Sequence, residues 1–168
     1  MLAASLSLDS HAVELLAGDP AAAERELRRD YEALDRMGEK YLLSTIAGLL
    51  AQVLCAQGRY EEANEMCMIT ASVAAEDDAQ SQALWRSVRA KVLARRPDEA
   101  GRAVTLAREA VEILRSTDAI VWQADALVDL AETLAATGNE AEAERALAEG
   151  AALYELKESA AVPRALVH

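Results

Sequence analysis

Apolar side chains along this chain recur at spacings of three and four residues, the period of a helix with one buried face. The clearest stripe, within residues 40–57, consists of Leu43, Ala47, Leu50, Ala51 and Leu54. Gly58 ends this stripe, because glycine readily adopts the left-handed conformation that closes a helix. A second stripe follows at once through Ala63, Cys67 and Thr70. The pattern predicts two helices joined by a tight turn.

The same helix–turn–helix pattern recurs along the chain at a constant interval. We define this repeat interval as the number of residues from Gly18 to Gly58. Gly138 lies two repeat intervals after Gly58, and a helix breaker around Pro97 fills the position between them. Eight positions match the second unit two intervals earlier without a gap: Leu127, Leu130, Ala131, Leu134, Gly138, Ala143, Leu147 and Gly150. Such a chain buries the apolar face of each unit against its neighbours. We therefore expect an all-α fold, a right-handed α-solenoid of about four repeats.

The four predicted units form a single domain over residues 1–168. They cover about residues 9–38, 40–76, 78–116 and 118–157, and a short helical stub follows at 160–167. The first unit is partial, and the third has two extra residues in its turn. Asp78 and Asp118 are expected to cap the leading helices of the last two units.

Composition narrows the class of function. The chain has no Phe and only 4% aromatic residues, so Ala and Leu must fill a core of closely spaced helices. Its net charge of −12 would repel a polyanion, which argues against nucleic-acid binding. No apolar run reaches the ~18 residues of a membrane span, and the first eight residues make a poor signal peptide. We expect a cytoplasmic protein in which Cys55 and Cys67 are reduced thiols.

Catalytic patterns are missing from the sequence. There is no P-loop motif, and the two histidines, His11 and His168, lie at opposite ends of the predicted array. The acidic residues fall mainly in first helical turns, where they favour the helix dipole. The sequence therefore predicts no catalytic, metal or cofactor site, and a segment that is not an enzyme.

The turn of the second unit carries a family resemblance. Leu50, Ala51 and Leu54, followed by Gly-Arg-Tyr-Glu-Glu-Ala at residues 58–63, resemble a tetratricopeptide repeat. That family has units of ~34 residues, so the longer spacing here implies longer helices. HEAT and armadillo repeats of ~40–47 residues are the structural alternative. The Gly–Tyr–Ala turn favours the tetratricopeptide type.

A second resemblance covers residues 16–28 and 80–96. These stretches look like a bacterial helical-repeat region that is typically C-terminal in multidomain proteins with a class III adenylate/guanylate cyclase domain and a P-loop NTPase module. The resemblance implies that the chain is a fragment, or a stand-alone relative, of such a signalling protein. The repeat pattern, the acidic charge and the missing catalytic patterns favour a non-catalytic protein–protein interaction or scaffold module, which would be the regulatory repeat region of that protein. The alternative is the effector-sensing helical-repeat domain of a large ATP-dependent transcriptional regulator, which would need a closed apolar pocket.

The resemblance also suggests where a partner binds. The first helix of each tetratricopeptide unit lines a concave groove, which places Gln52, Arg86 and Glu132 there. Arg89 lies near Arg86, and both belong to a stretch rich in arginine and lysine at residues 86–108. Arg86 is expected to hold a carboxylate of a peptide, a protein or a neighbouring domain. The alternative for this basic stretch is a solvated face paired with nearby acids. Apolar residues at both ends also allow a homo-oligomer.

Overall fold

The computed structural model describes residues 19–161, with side chains as far as Lys157, and this part of the chain is helical with no strand. Its α-helices are α1 (Pro20–Met37), α2 (Lys40–Ala56), α3 (Tyr60–Val73), α4 (Ala79–Leu93), α5 (Ala100–Arg115), α6 (Ile120–Ala136) and α7 (Glu140–Ala161). A short 3-10 helix, Pro97–Glu99, precedes α5. The prediction of an all-α chain is confirmed.

Glycine turns end helices where the sequence predicted them. Gly38, Gly58 and Gly138 have φ angles of 67°, 77° and 81°, in the left-handed region that a side chain disfavours. The break predicted around Pro97 is the 3-10 helix. The predictions for Gly18, for a leading helix at 9–17 and for the two histidines lie outside the described residues.

The helix starts confirm one of the two predicted caps. The carboxylate of Asp78 accepts a hydrogen bond from a first-turn amide of α4, as Asp19 does for α1. The prediction for Asp118 is wrong, because the cap of α6 is Ala119 and the Thr117 hydroxyl accepts the hydrogen bond from its amide at 3.3 Å. The helical stub predicted at 160–167 lies for the most part outside the described residues, the last of which, Ala161, still belongs to α7.

Two kinds of helix contact build the molecule. Each helix packs against the next one in the chain, and α2 packs on α4 and α4 on α6. The leading helices of the second, third and fourth predicted units therefore lie side by side. Among the described helices, α4 is the one that packs on four α-helices, namely α2, α3, α5 and α6.

The apolar core consists of two clusters that meet at α4. Val88 and Val92 belong to the cluster formed with α1, α2 and α3, whereas Ala90 and Leu93 belong to the cluster formed with α5, α6 and α7. Trp85 packs against both clusters, and its Nε1 donates to Gln82 Oε1 at 3.1 Å.

Small residues set the distance between neighbouring helices. A Cβ on Gly48 of α2 would lie 2.8 Å from Leu84 Cδ2 of α4, so this glycine permits the close approach of the two helices. One turn earlier, Ser44 Oγ lies 3.3 Å from Ser81 Oγ between the same helices. These contacts fix how α4 is rotated about its axis, and hence which of its side chains point toward α2 and α6.

The trailing helix of each unit keeps the repeat interval. Buried alanines occupy equivalent positions in α1, α3, α5 and α7: Ala23, Ala63, Ala103 and Ala143. Because the interval is constant, other positions on these four helices can be compared directly, including the charged ones at the surface.

Candidate functional site

A cleft of about 470 Å³ lies at the C-terminal ends of the three leading helices α2, α4 and α6. Its lining residues are Gln52, Cys55, Ala56, Tyr60, Lys91, Ala94, Arg95, Glu132, Thr133 and Ala136. The walls combine alanine surface, one aromatic ring, one thiol and charges of both signs. The cleft opens to solvent, so a ligand could enter without a change in the fold.

The charge of Lys91 is neutralised within the protein. Its Nζ lies 2.6 Å from Asp129 Oδ1 and 3.5 Å from Glu132 Oε2. Burial alone would lower the pKa of Lys91, but these two carboxylates outweigh it and raise the pKa. Burial raises the pKa of Asp129, and the positive charge of Lys91 acts in the opposite direction. This mostly buried ion pair joins α4 to α6 and forms one wall of the cleft.

Arg95 is the exposed cation of the cleft. Its guanidinium carbon lies 4.0 Å from the centroid of the Tyr60 ring, a cation–π arrangement that orients the group. It forms no ion pair with the described residues, and the residue is exposed. Glu132 carries the opposite charge, and its side chain is 60% exposed. The cleft thus presents one free cation and one accessible carboxylate among the described residues.

The two thiols are protonated at neutral pH. Burial raises the pKa of the half-buried Cys55, and the carboxylates of Asp129 and Glu132 act in the same direction against Lys91 and Arg95. Burial raises the pKa of Cys67 to about 12. A thiol is a poor nucleophile until it ionises. Cys67 is fully buried, which confirms its predicted place in the core.

The structure separates the four predicted groove residues into two locations. Gln52 and Glu132 line the cleft together. Arg86 does not, because its Nε donates to Glu109 of α5 at 3.1 Å and its guanidinium lies 4.2 Å from the Trp85 ring centroid. The three positions that the repeat alignment placed in one groove therefore do not all reach this cleft.

Arg89 lies with Arg86 on the other side of α4. Its Nε is buried and has no hydrogen-bond acceptor among the described residues, and its charge acts on the thiol of Cys67 in α3. The residues that the groove prediction missed are Lys91 and Arg95, which lie on the cleft side of the same helix and its end. Their spacing of four residues was the available signal, since it places both on one face.

The described part of the chain offers no grouping suited to metal chemistry. Residues 19–161 contain no set of three or more His, Cys, Asp or Glu side chains that could hold a metal ion. In the same residues, no helix has the length and apolar character needed to cross a bilayer.

Neither the protein-family models nor the curated proteins that were searched match this chain.

Proposed function

We propose that this chain is a non-catalytic protein–protein interaction module, built as a right-handed α-solenoid of tetratricopeptide-like repeats. Two observations support the architecture. The leading helices α2, α4 and α6 pack in a row, as the inner layer of such an array would. The buried alanines of the trailing helices recur at the repeat interval. In this arrangement the cleft lies on the concave side.

The observation that carries the proposed function is the unpaired Arg95 held over Tyr60 beside the exposed Glu132. Specific ligand sites combine apolar walls with a few oriented polar groups, and volumes of ~300–1,000 Å³ are usual for them. At about 470 Å³, the cleft can take a few side chains of a partner segment. That segment would supply a carboxylate to Arg95 and a donor to Glu132 and Gln52.

The wider assignment follows the resemblance of residues 16–28 and 80–96. It makes the module the regulatory repeat region of a cyclase/NTPase-type bacterial signalling protein in the cytoplasm. The alternative, an effector-sensing domain of a transcriptional regulator, requires a closed apolar pocket, and the open cleft with charged walls favours the first assignment. The reading frame around this segment in its source genome tests the choice, because the first assignment requires a cyclase or P-loop domain upstream.

Adjacent arginines allow a matched test of the cleft. Arg95 lines the cleft, whereas Arg96 is exposed and is not among its lining residues. The chain is screened against an array of random-sequence peptides, and the strongest binders are measured again with Arg95→Ala and with Arg96→Ala. We expect Arg95→Ala to weaken binding about tenfold or more, since it removes charge-assisted hydrogen bonds, and Arg96→Ala to leave it unchanged. Equal effects of the two substitutions would refute the proposed site.

A further inference from the structure

Ion pairs between trailing helices recur at equivalent positions on the outer side of the array. Arg28 Nη2 of α1 lies 3.1 Å from Glu62 Oε2 of α3, and Arg108 Nη2 of α5 lies 2.7 Å from Glu142 Oε1 of α7. The partners of each pair are separated by the same length of chain, and the second pair lies two repeat intervals after the first. The two pairs therefore connect α1 to α3 and α5 to α7 in the same way.

The junction between α3 and α5 lacks this pair. One repeat interval after Arg28 and Glu62, the equivalent positions hold Met68 and Arg102. Met68 is 46% exposed although it is a large apolar side chain. Arg102 is also exposed, and its contact in the described residues is a 3.8 Å ion pair with Glu99 at the start of its own helix. An apolar side chain and a cation thus replace the cation and carboxylate of the other junctions.

A third residue at this junction, Arg89, has a side-chain donor that no acceptor of the described residues satisfies. The face of α4 that carries Arg86 and Arg89 lies between α3 and α5, since Arg86 bonds to Glu109 of α5 and the charge of Arg89 acts on Cys67 of α3. Arg86 is thereby satisfied, but the buried Nε of Arg89 has no acceptor in the part of the chain that the structure describes. A buried donor without an acceptor destabilises the fold, so an acceptor supplied at this point is favoured.

We propose that Met68, Arg89 and Arg102 form a docking site for a partner segment that carries an acidic side chain next to an apolar one. At the other two junctions a glutamate forms an ion pair with an arginine of the neighbouring trailing helix. The partner's carboxylate takes the place of that glutamate, and the partner's apolar side chain covers Met68. This outer site is separate from the cleft, because Lys91 lies on the opposite side of α4 and Arg95 follows the C-terminal end of that helix. It requires the packing of the described helices but not the proposed occupant of the cleft.

Restoring the missing ion pair should close the site. Met68→Arg with Arg102→Glu recreates the arrangement of Arg28 and Glu62. This variant is expected to fold and to melt no lower than the unmodified chain, so lost binding would not reflect unfolding. The probes are a set of alanine-based helical peptides, each with one Glu and one Leu. The spacing between the two residues differs from peptide to peptide and covers one helical turn. Each peptide has a twin in which Gln replaces Glu. Affinity is measured by fluorescence anisotropy at low salt.

We expect at least one Glu peptide to bind, its Gln twin to bind about tenfold more weakly, and the Met68→Arg/Arg102→Glu variant to lose the difference. Arg95→Ala should leave this binding unchanged, which separates the outer site from the cleft. The proposal is overturned if no Glu peptide binds better than its twin, if the restored variant binds as the original chain does, or if Arg95→Ala removes the binding.

Discussion

At the scale of single residues, charged groups that bridge helices contribute more to the stability of the fold than exposed charged groups do. Glu24 of α1 accepts hydrogen bonds from Arg28 at 2.7 Å and from Arg59 Nη1 at 2.7 Å, and Arg59 also binds Glu62. Burial alone would raise the pKa of Glu24, but the two arginines lower it from 4.5 to about 2. The stability from this carboxylate is therefore fully present above its ordinary pKa and is lost as the pH falls toward 2.

The direction of this pKa shift gives a pH-dependent prediction for Glu24→Gln. The substitution should lower the free energy of unfolding at neutral pH. The difference from the unmodified chain should shrink as the pH falls from about 5 to about 3, because the carboxyl group then takes up a proton in the unfolded chain while it stays ionised in the folded one. Urea unfolding at several pH values measures the difference. Glu65→Gln, at an exposed position of α3, is the control. A difference that stays constant with pH would contradict the assignment.

The ion pair in the cleft gives a second prediction. Lys91→Met should destabilise the fold by about 1–3 kcal/mol, because it leaves the mostly buried carboxylate of Asp129 without its cation. The double substitution Lys91→Met/Asp129→Leu should recover most of this loss, since an apolar pair can replace an ionic one. Chemical unfolding of both variants measures the recovery. In the half-exposed pair with Glu149, Arg115→Met should cost less than about 1 kcal/mol, and an equal cost at the two sites would contradict the prediction.

Residue by residue, the sequence predicted the core better than the cleft. Cys67 was placed correctly because burial follows directly from helical spacing. Lys91 was missed because the repeat alignment assigned Arg86 to the groove position of α4. The rotation of α4 instead depends on the glycine contact between Gly48 and Leu84 and on the bond between Ser44 and Ser81. Contacts between helices that are distant in sequence are not visible in a one-dimensional pattern.

At the scale of helices, boundaries followed from local chemistry. The helix predicted over residues 40–57 is Lys40–Ala56, because a glycine with positive φ must end it. The cap predicted at Asp118 failed, since α6 begins after Ala119 and no side chain caps its first turn. Local signals therefore set where helices end more reliably than they identify the capping residue.

Helix spacing gives a third prediction, at Gly150. A Cβ there would lie 3.2 Å from the carbonyl oxygen of Ala124 and 3.3 Å from Leu127 Cβ, so α7 and α6 approach each other closely at this point. Gly150→Val should destabilise the protein by about 1–3 kcal/mol, because the backbone of α6 must move. Gly101→Val makes the same change where nothing lies within 4 Å of the new Cβ, and it should be neutral or mildly stabilising. Thermal melts compare the two, and similar shifts would contradict the packing described.

At the scale of the whole molecule, α4 holds the two core clusters together. It packs on four α-helices, whereas α1 packs closely on α2, and α7 on α6. Stability in such a linear arrangement is close to a sum of local terms and contacts between neighbours. The ends should therefore open more often than the middle.

Hydrogen exchange tests this fourth prediction. Amides of α4 should exchange most slowly, and those of α1 and α7 fastest, because opening an end helix breaks one interface. Leu134→Ala, in the fully buried core of α6, should cost about 2–5 kcal/mol and speed exchange in α5, α6 and α7 more than in α1 and α2. Uniform acceleration along the chain would show that the molecule opens as one unit instead.

The central position of α4 has a further consequence, because Arg89 and Lys91 lie close together in sequence and project to opposite sides of this one rigid helix. An occupant of the cleft that shifts α4 also changes the geometry at Arg89, and an occupant of the outer site changes the wall formed by Lys91. By thermodynamic linkage, if one ligand changes the affinity of the other by some factor, the second ligand must change the affinity of the first by the same factor. The helix would then couple two binding events, one on each side of the array.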